Sequence, residues 1–185
     1  KAQDRIGSGK GGDPMAGLYA GRTHDIIPNT DCYLGKESNQ VILEAILSYM
    51  KKYHVSAYDE NTCEGIVRHV LIREGFYTGE IMVCLVVNIT PDKELPSANL
   101  FVEALRKIPA VGERIVSVCL NCNTEDTNVI LGREGKVLFG RGDITDTLSG
   151  ISFRISPLSF YQVNPVQTEK LYGTALEYAG LTGEE

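Results

Sequence analysis

Apolar side chains recur along the chain in two rhythms. Val41, Ile42, Ala45, Ile46, Tyr49 and Met50 fall three and four apart, the spacing that lines one face of a helix. Lys51 and Lys52 follow, where cations suit the helix dipole, and Ser38 or Asn39 stands at the N-cap position. A second helix is predicted from Ser97, with Leu100, Phe101, Ala104, Leu105 and Ile108 as its buried stripe. The third is the clearest. Asn164 caps it, Pro165 takes its first position, Gln167 completes a capping box and Gly180 ends it. Leu171, Tyr172, Ala175, Leu176 and Ala179 form its apolar stripe. Such a stripe needs a partner, so the helix is expected to pack on a segment beyond residue 185.

The second rhythm is that of strands. In residues 66–73, strict alternation puts Arg68 with Ile66, Val70 and Ile72, and puts His69 and Arg73 with Val67 and Leu71. Residues 81–89 are an unbroken apolar run, read as a central strand antiparallel to the one before. Residues 114–121 give a third strong strand, and 129–132, 136–140 and 151–155 give shorter ones. Gly7, Ser8, Gly9, Lys10, Gly11 and Gly12 form a hairpin turn, with Leu18, Tyr19 and Ala20 on the return strand. They do not form a phosphate loop, because Lys10 is followed by glycines and not by Ser or Thr. Residues 21–36 read as irregular. The order predicts an α+β fold with a largely antiparallel sheet and two packing helices, followed by a strand–turn–helix at 155–185.

Composition narrows the picture. Net charge is −6 over 185 residues, which argues against a broadly basic nucleic-acid binder and leaves room for a local patch. Five cysteines, scattered and odd in number, argue against a disulfide framework and for a reducing compartment. No apolar run has the length of a membrane helix, and the N-terminus lacks a signal-peptide pattern.

Few residues look chemical by themselves. Cys119 and Cys122 are a lone CxxC on a strand, where residues three apart face opposite ways, so they read as small buried hydrophobes. Cys63 and Cys84 read likewise, whereas Cys32 sits in a polar loop. Arg68, His69 and Arg73 are either an anchor for an anion or a solvated strand face. His24, His54 and His69 lie too far apart in sequence to suggest a metal site.

Several stretches, in order along nearly the whole chain, resemble the uracil-5 RNA methyltransferases. They are residues 17–27, Tyr58-Asp59-Glu60 with residues 65–70, residues 128–132, and above all Ile155-Ser156-Pro157 and Ser159-Phe160-Tyr161-Gln162-Val163-Asn164, with residues 167–172 behind them. The resemblance implies S-adenosylmethionine as methyl donor and RNA as partner, ribosomal in preference to transfer RNA. It implies a cytoplasmic monomer. It divides the chain into a central domain, 1–154, and the entry to a Rossmann-like methyltransferase domain, 155–185, with the N-terminal hairpin assignable to either. The cofactor loop, nucleophilic cysteine and general base of such enzymes have no counterpart in these residues, so the chain alone is expected to be inactive.

Residue by residue, the resemblance makes Gln162 a cofactor contact and Phe160 a contact to the target base. The competing reading has Phe160 and Tyr161 filling core beneath the last helix. Arg68, His69 and Arg73 become candidate RNA contacts. Cys32 matches the fourth ligand of a four-iron, four-sulfur cluster whose other three ligands are not among these residues. The alternative function is a non-catalytic RNA-binding or interaction module.

Overall fold

The computed structural model describes residues 1–9, 11–23 and 25–181. Along the chain run β1 (Ala2–Ser8), β2 (Pro14–Tyr19), β3 (Ile26–Pro28), α1 (Glu37–Lys52), β4 (Val67–Glu74), β5 (Ile81–Val87) and α2 (Ala98–Arg106). Then come β6 (Ile115–Cys122), β7 (Glu134–Gly140), β8 (Ile144–Leu148), β9 (Ile151–Ile155) and α3 (Pro165–Ala179). The first seven strands form one sheet in the order β3-β2-β1-β4-β5-β6-β7, and β8–β9 is a separate hairpin. Every neighbouring pair is antiparallel except β5–β6, whose parallel pairing needs the long crossover that carries α2.

The apolar run of β5 is central because both its faces are covered, and all seven of its residues are buried. On one face Ile42, Ile46 and Met50 of α1 and Phe101 and Leu105 of α2 pack on Ile6, Val70, Ile72, Val83, Leu85 and Leu120. The Tyr49 hydroxyl donates to the Pro96 carbonyl at 2.5 Å, and its ring lies 4.9 Å from that of Phe101. On the other face Leu71, Met82, Cys84 and Cys119 meet Ile144 of β8 and Ile155 of β9. Each fully buried Ile, Leu or Phe contributes about 1.5–3 kcal/mol, against about 0–1 kcal/mol for a surface ion pair, so these two layers hold the fold.

The predicted architecture stands, with local departures. The hairpin forms, but its return strand begins at Pro14, and β1 pairs on its other side with β4. Lys10 lies outside the described residues. Helix α1 starts at Glu37, with Lys36 in place of Ser38 or Asn39 at the cap position and no side-chain cap; Ser38 is buried and donates to Glu74 at 2.5 Å. Ser97 does precede α2, in a left-handed conformation (φ 54°), with no capping bond from its side chain.

Residues 129–132 are not a strand. Asn123 Nδ2 donates to the carbonyls of Val129 (2.7 Å) and Ile130 (3.0 Å), and Asn121 Nδ2 donates to Gly132 (2.9 Å). These two amides take the carbonyls that a neighbouring strand would have used. Strand β8 escapes sequence patterning because Asp146 stands at a buried position between Ile144 and Leu148. Three-residue β3 is too short to show a pattern.

The alternation read for residues 66–73 also needs correction. The β4–β5 register runs Val67↔Val87 and then His69↔Val86, so Arg68 is the extra residue of a β-bulge. Val67 therefore joins the same core layer as Val70 and Ile72, not that of Leu71. Cys122 and Cys119 fall in opposite layers, as alternation requires. Cys63 is exposed, with φ 56°, contrary to the buried reading.

Helix α3 begins as the sequence predicts: Asn164 Oδ1 accepts from the Gln167 N–H at 3.2 Å, and Gly180 closes it with φ 58°. Its stripe of Leu171, Tyr172 and Leu176 is exposed, and within the helix only Pro165 and Thr168 are buried. Among the described residues no helix is long and apolar enough to cross a membrane.

Candidate functional site

The residues after β9 turn sharply and then open α3. The Ser156 N–H donates to Ser159 Oγ at 3.0 Å, and the two serine hydroxyls lie 2.9 Å apart. Arg73, near the end of β4, reaches across and donates through one terminal nitrogen to the carbonyls of Pro157 (2.9 Å) and Ser159 (2.5 Å). The turn is thus clamped to the sheet from a position far away in sequence.

Beyond the turn the side chains divide. Tyr161 packs with the second core layer and lies 6.1 Å from the Phe153 ring. Its hydroxyl is buried near Asp146 without a well-formed hydrogen bond, and burial, reinforced by Asp146, pushes its pKa up to about 12. Asp146 in turn accepts the N–H groups of Phe76 (2.8 Å) and Tyr77 (3.0 Å). Phe160, by contrast, is 86% exposed. The core-filling reading therefore holds for Tyr161 and fails for Phe160, because the turn points only one of the pair inward.

Gln162 is half-buried and lines a cavity of about 90 Å³ with Lys36, Arg73, Glu74, Asp146 and Tyr161. Burial would raise the Glu74 carboxyl, but hydrogen bonds from Ser38, Lys36 and Arg114 outweigh it and hold the group below its ordinary value. Glu169 of α3 accepts from Tyr77 Oη (3.1 Å) and from the Ser149 N–H (2.8 Å), tying the start of the helix to the β8–β9 hairpin.

The predicted basic cluster is not an open face. Arg68, His69 and Arg73 are 3%, 6% and 5% exposed. Arg68 donates to the carbonyls of Asn123 (2.9 Å) and Glu125 (2.8 Å) and lies over the Tyr58 ring at 4.5 Å. His69 Nε2 sits 3.1 Å from an Arg5 terminal nitrogen, which makes the imidazole an acceptor and hence neutral. Burial first, then Arg5 and Arg68, push its pKa down to about 3. The terminal nitrogens named here bond to groups inside the fold, while the Nε–H groups of Arg68 and Arg73 are buried without a partner. Sequence reasoning misses Arg5 and Asp146, the two charged partners that organise these clusters. Asp146 carries a readable signal, a polar residue in an apolar period-two frame.

Cys32 is exposed, and among the described residues no three His, Cys, Asp or Glu side chains converge as a metal set. One thiol does not by itself fit a cluster of four ligands. His24 lies outside the described residues.

No protein-family model matches the chain. It is 43% identical over 185 residues to a Clostridium tetani protein named "uncharacterized RNA methyltransferase", covering all of this chain and 39% of that protein. Proteins of the same description from Caldanaerobacter subterraneus and Staphylococcus aureus are each 38% identical, over 176 and 185 residues, with 37% and 40% of their lengths covered. Among solved structures, the Pyrococcus abyssi tRNA (uracil-54, C5)-methyltransferase in complex with S-adenosyl-L-homocysteine superposes with a TM-score of 0.74 at 20% identity. That match covers 95% of this chain and 40% of the other, and it shows a shared fold. The chain is similar to these proteins along nearly its whole length and spans about two fifths of theirs.

Proposed function

We propose that the chain is the central domain and domain seam of an S-adenosylmethionine-dependent enzyme that methylates carbon 5 of a uridine in RNA. Residues 1–154 form the central domain and residues 155–185 lead into the methyltransferase domain. The observation that carries this reading is the split between Phe160 and Tyr161. Arg73 and Tyr161 fix the turn, and Phe160 is left projecting beside Gln162. An exposed aromatic on a rigid turn suits stacking on an unstacked base. The Gln162 amide, with both donor and acceptor character, suits a contact to cofactor or base. The cofactor would supply the methyl group, and the nucleophile and base would come from outside these residues.

Ribosomal RNA is the proposed substrate and the cytoplasm the proposed location. Cys32 is the proposed fourth ligand of an iron–sulfur cluster in the intact protein, and the protein is proposed to act as a monomer. The alternative, a non-catalytic RNA-binding or interaction module, is less favoured because Arg68, His69 and Arg73 are buried.

The test is methyl transfer from labelled cofactor by the full-length protein to ribosomal and transfer RNA transcripts. Phe160→Ala is expected to reduce kcat/KM by the worth of one stacked base, roughly 5- to 150-fold. Gln162→Ala should also lower it, with the melting temperature unchanged. Wild-type rates in both variants would refute these roles. The isolated chain is expected to transfer no methyl group.

A further inference from the structure

The turn between β4 and β5 carries two adjacent large aromatics, Phe76 and Tyr77. Such turns usually hold Gly, Pro, Asn, Asp or Ser, because an exposed ring buries no apolar area. Here the rings are 47% and 52% exposed, and they meet edge to face with centroids 4.9 Å apart. Tyr77 has a structural task, since its hydroxyl donates to Glu169 of α3 at 3.1 Å. Phe76 belongs to neither core layer.

The turn is rigid as well as exposed. The Asp146 carboxylate accepts the N–H groups of both aromatics. Thr78 Oγ1 donates to the Thr145 carbonyl at 2.6 Å, and the Gly75 N–H donates to the Glu80 carbonyl at 2.9 Å. A ring held in this way loses little freedom when a ligand binds. Phe76 lines the same cavity of about 90 Å³ as Gln162, which places it beside the turn that presents Phe160.

A cation accompanies the ring. Lys36 Nζ lies 5.8 Å from the centre of the Phe76 ring and donates to Glu74 at 3.0 Å. Lys36 is half-exposed, so its ammonium keeps donors for a second acceptor. Lys1 stands exposed at the same cavity, whereas the Glu74 and Asp146 carboxylates are engaged by donors of the fold. An aromatic face beside a cation is the arrangement that takes single-stranded nucleic acid, with the base on the ring and the phosphate on the cation. Glu169 stands on the Tyr77 side, so a phosphate is favoured on the Lys36 side.

We propose that Phe76 stacks on the base of an RNA nucleotide flanking the methylated uridine, with Lys36 at that nucleotide's phosphate. The contact deepens the function proposed above and rests on it for the identity of the RNA.

Filter binding of ribosomal and transfer RNA transcripts to the full-length protein tests this, with methyl transfer measured in parallel. Phe76→Ala changes a side chain outside both core layers, so it should fold with an unchanged melting temperature. It should weaken the tighter-binding transcript about 5- to 150-fold, the worth of one stacked base. Phe76→Trp should bind at least as tightly as wild type. Phe76→Leu, apolar but without an aromatic face, should bind as poorly as Phe76→Ala. Lys36→Gln should flatten the plot of log Kd against log salt by about 0.7, one phosphate contact on a single strand. Failure of the wild-type protein to bind either transcript, wild-type affinity in Phe76→Ala or Phe76→Leu, or an unchanged salt slope in Lys36→Gln would each overturn the proposal. A lowered melting temperature in Phe76→Ala with RNA affinity unchanged would also overturn it, because protein and not RNA would then cover the ring. If RNA is methylated while the variants bind as wild type does, this contact fails and the proposed function stands. If binding depends on Phe76 and Lys36 but no methyl group is transferred, the RNA contact stands and the proposed function fails.

Discussion

His69 shows how a residue can be misread from sequence alone. Beside Arg68 and near Arg73 it looks like part of a basic patch. In the fold it accepts from Arg5, and burial makes a proton there unfavourable. Its folded pKa of about 3 lies below the ordinary 6.5. The unfolded chain therefore binds a proton that the folded chain refuses, and stability present above pH 6.5 is lost as pH falls toward 3. The expected slope from this group is at most about 1.4 kcal/mol per pH unit, read by urea denaturation between roughly pH 7 and pH 5. His69→Gln keeps an acceptor for Arg5 and should flatten that slope. Arg73 makes a second prediction at this scale. Arg73→Met leaves the carbonyls of Pro157 and Ser159 without their donor and should destabilise by about 2–3 kcal/mol in the same assay. Neither role is legible in sequence, because each depends on a partner more than sixty residues away.

Elements are legible where one pattern dominates. The apolar run of β5, the stripes of α1 and α2 and the cap of α3 read directly, because local spacing and tertiary burial agree there. Residues 129–132 mislead because Val129, Ile130 and Leu131 are good strand formers, yet Asn121 and Asn123 claim the local carbonyls. Asn123→Ala should therefore cost about 1–3 kcal/mol and speed amide hydrogen exchange across residues 127–133. It should leave exchange in β5 unchanged. Asn164→Ala should lower stability by about 1 kcal/mol at most, confined to α3, because one capping bond is lost.

At the scale of the whole molecule, stability is graded. Strands β4, β5 and β6 lie between two apolar layers, while α3 buries little beyond its first turn. A fifteen-residue helix without a packed face is marginal in water. Hydrogen exchange of this chain by itself should show α3 opening with a free energy near zero, and α1 and β5 opening only with global unfolding. Protection of α3 equal to that of α1 would mean that its stripe has found a cover. The turn that opens α3 is legible in the sequence as a motif at residues 155–165. Its anchoring is not, since Arg73, Asp146 and Tyr161 converge only through the fold.

The bulge at Arg68 has a consequence for how the chain tolerates insertion and loss. Removing one residue from a buried strand ordinarily inverts every side chain beyond it. Here Val67 and His69 already oppose adjacent partners, Val87 and Val86, so excising Arg68 leaves a one-to-one ladder with both faces in place. A single-codon deletion at this position should still yield a folded protein. It would forfeit only the ties from Arg68 to Asn123, Glu125 and the Tyr58 ring. The same deletion at Val70 or Leu71 should abolish folding, and soluble yield of the three deletions would tell them apart.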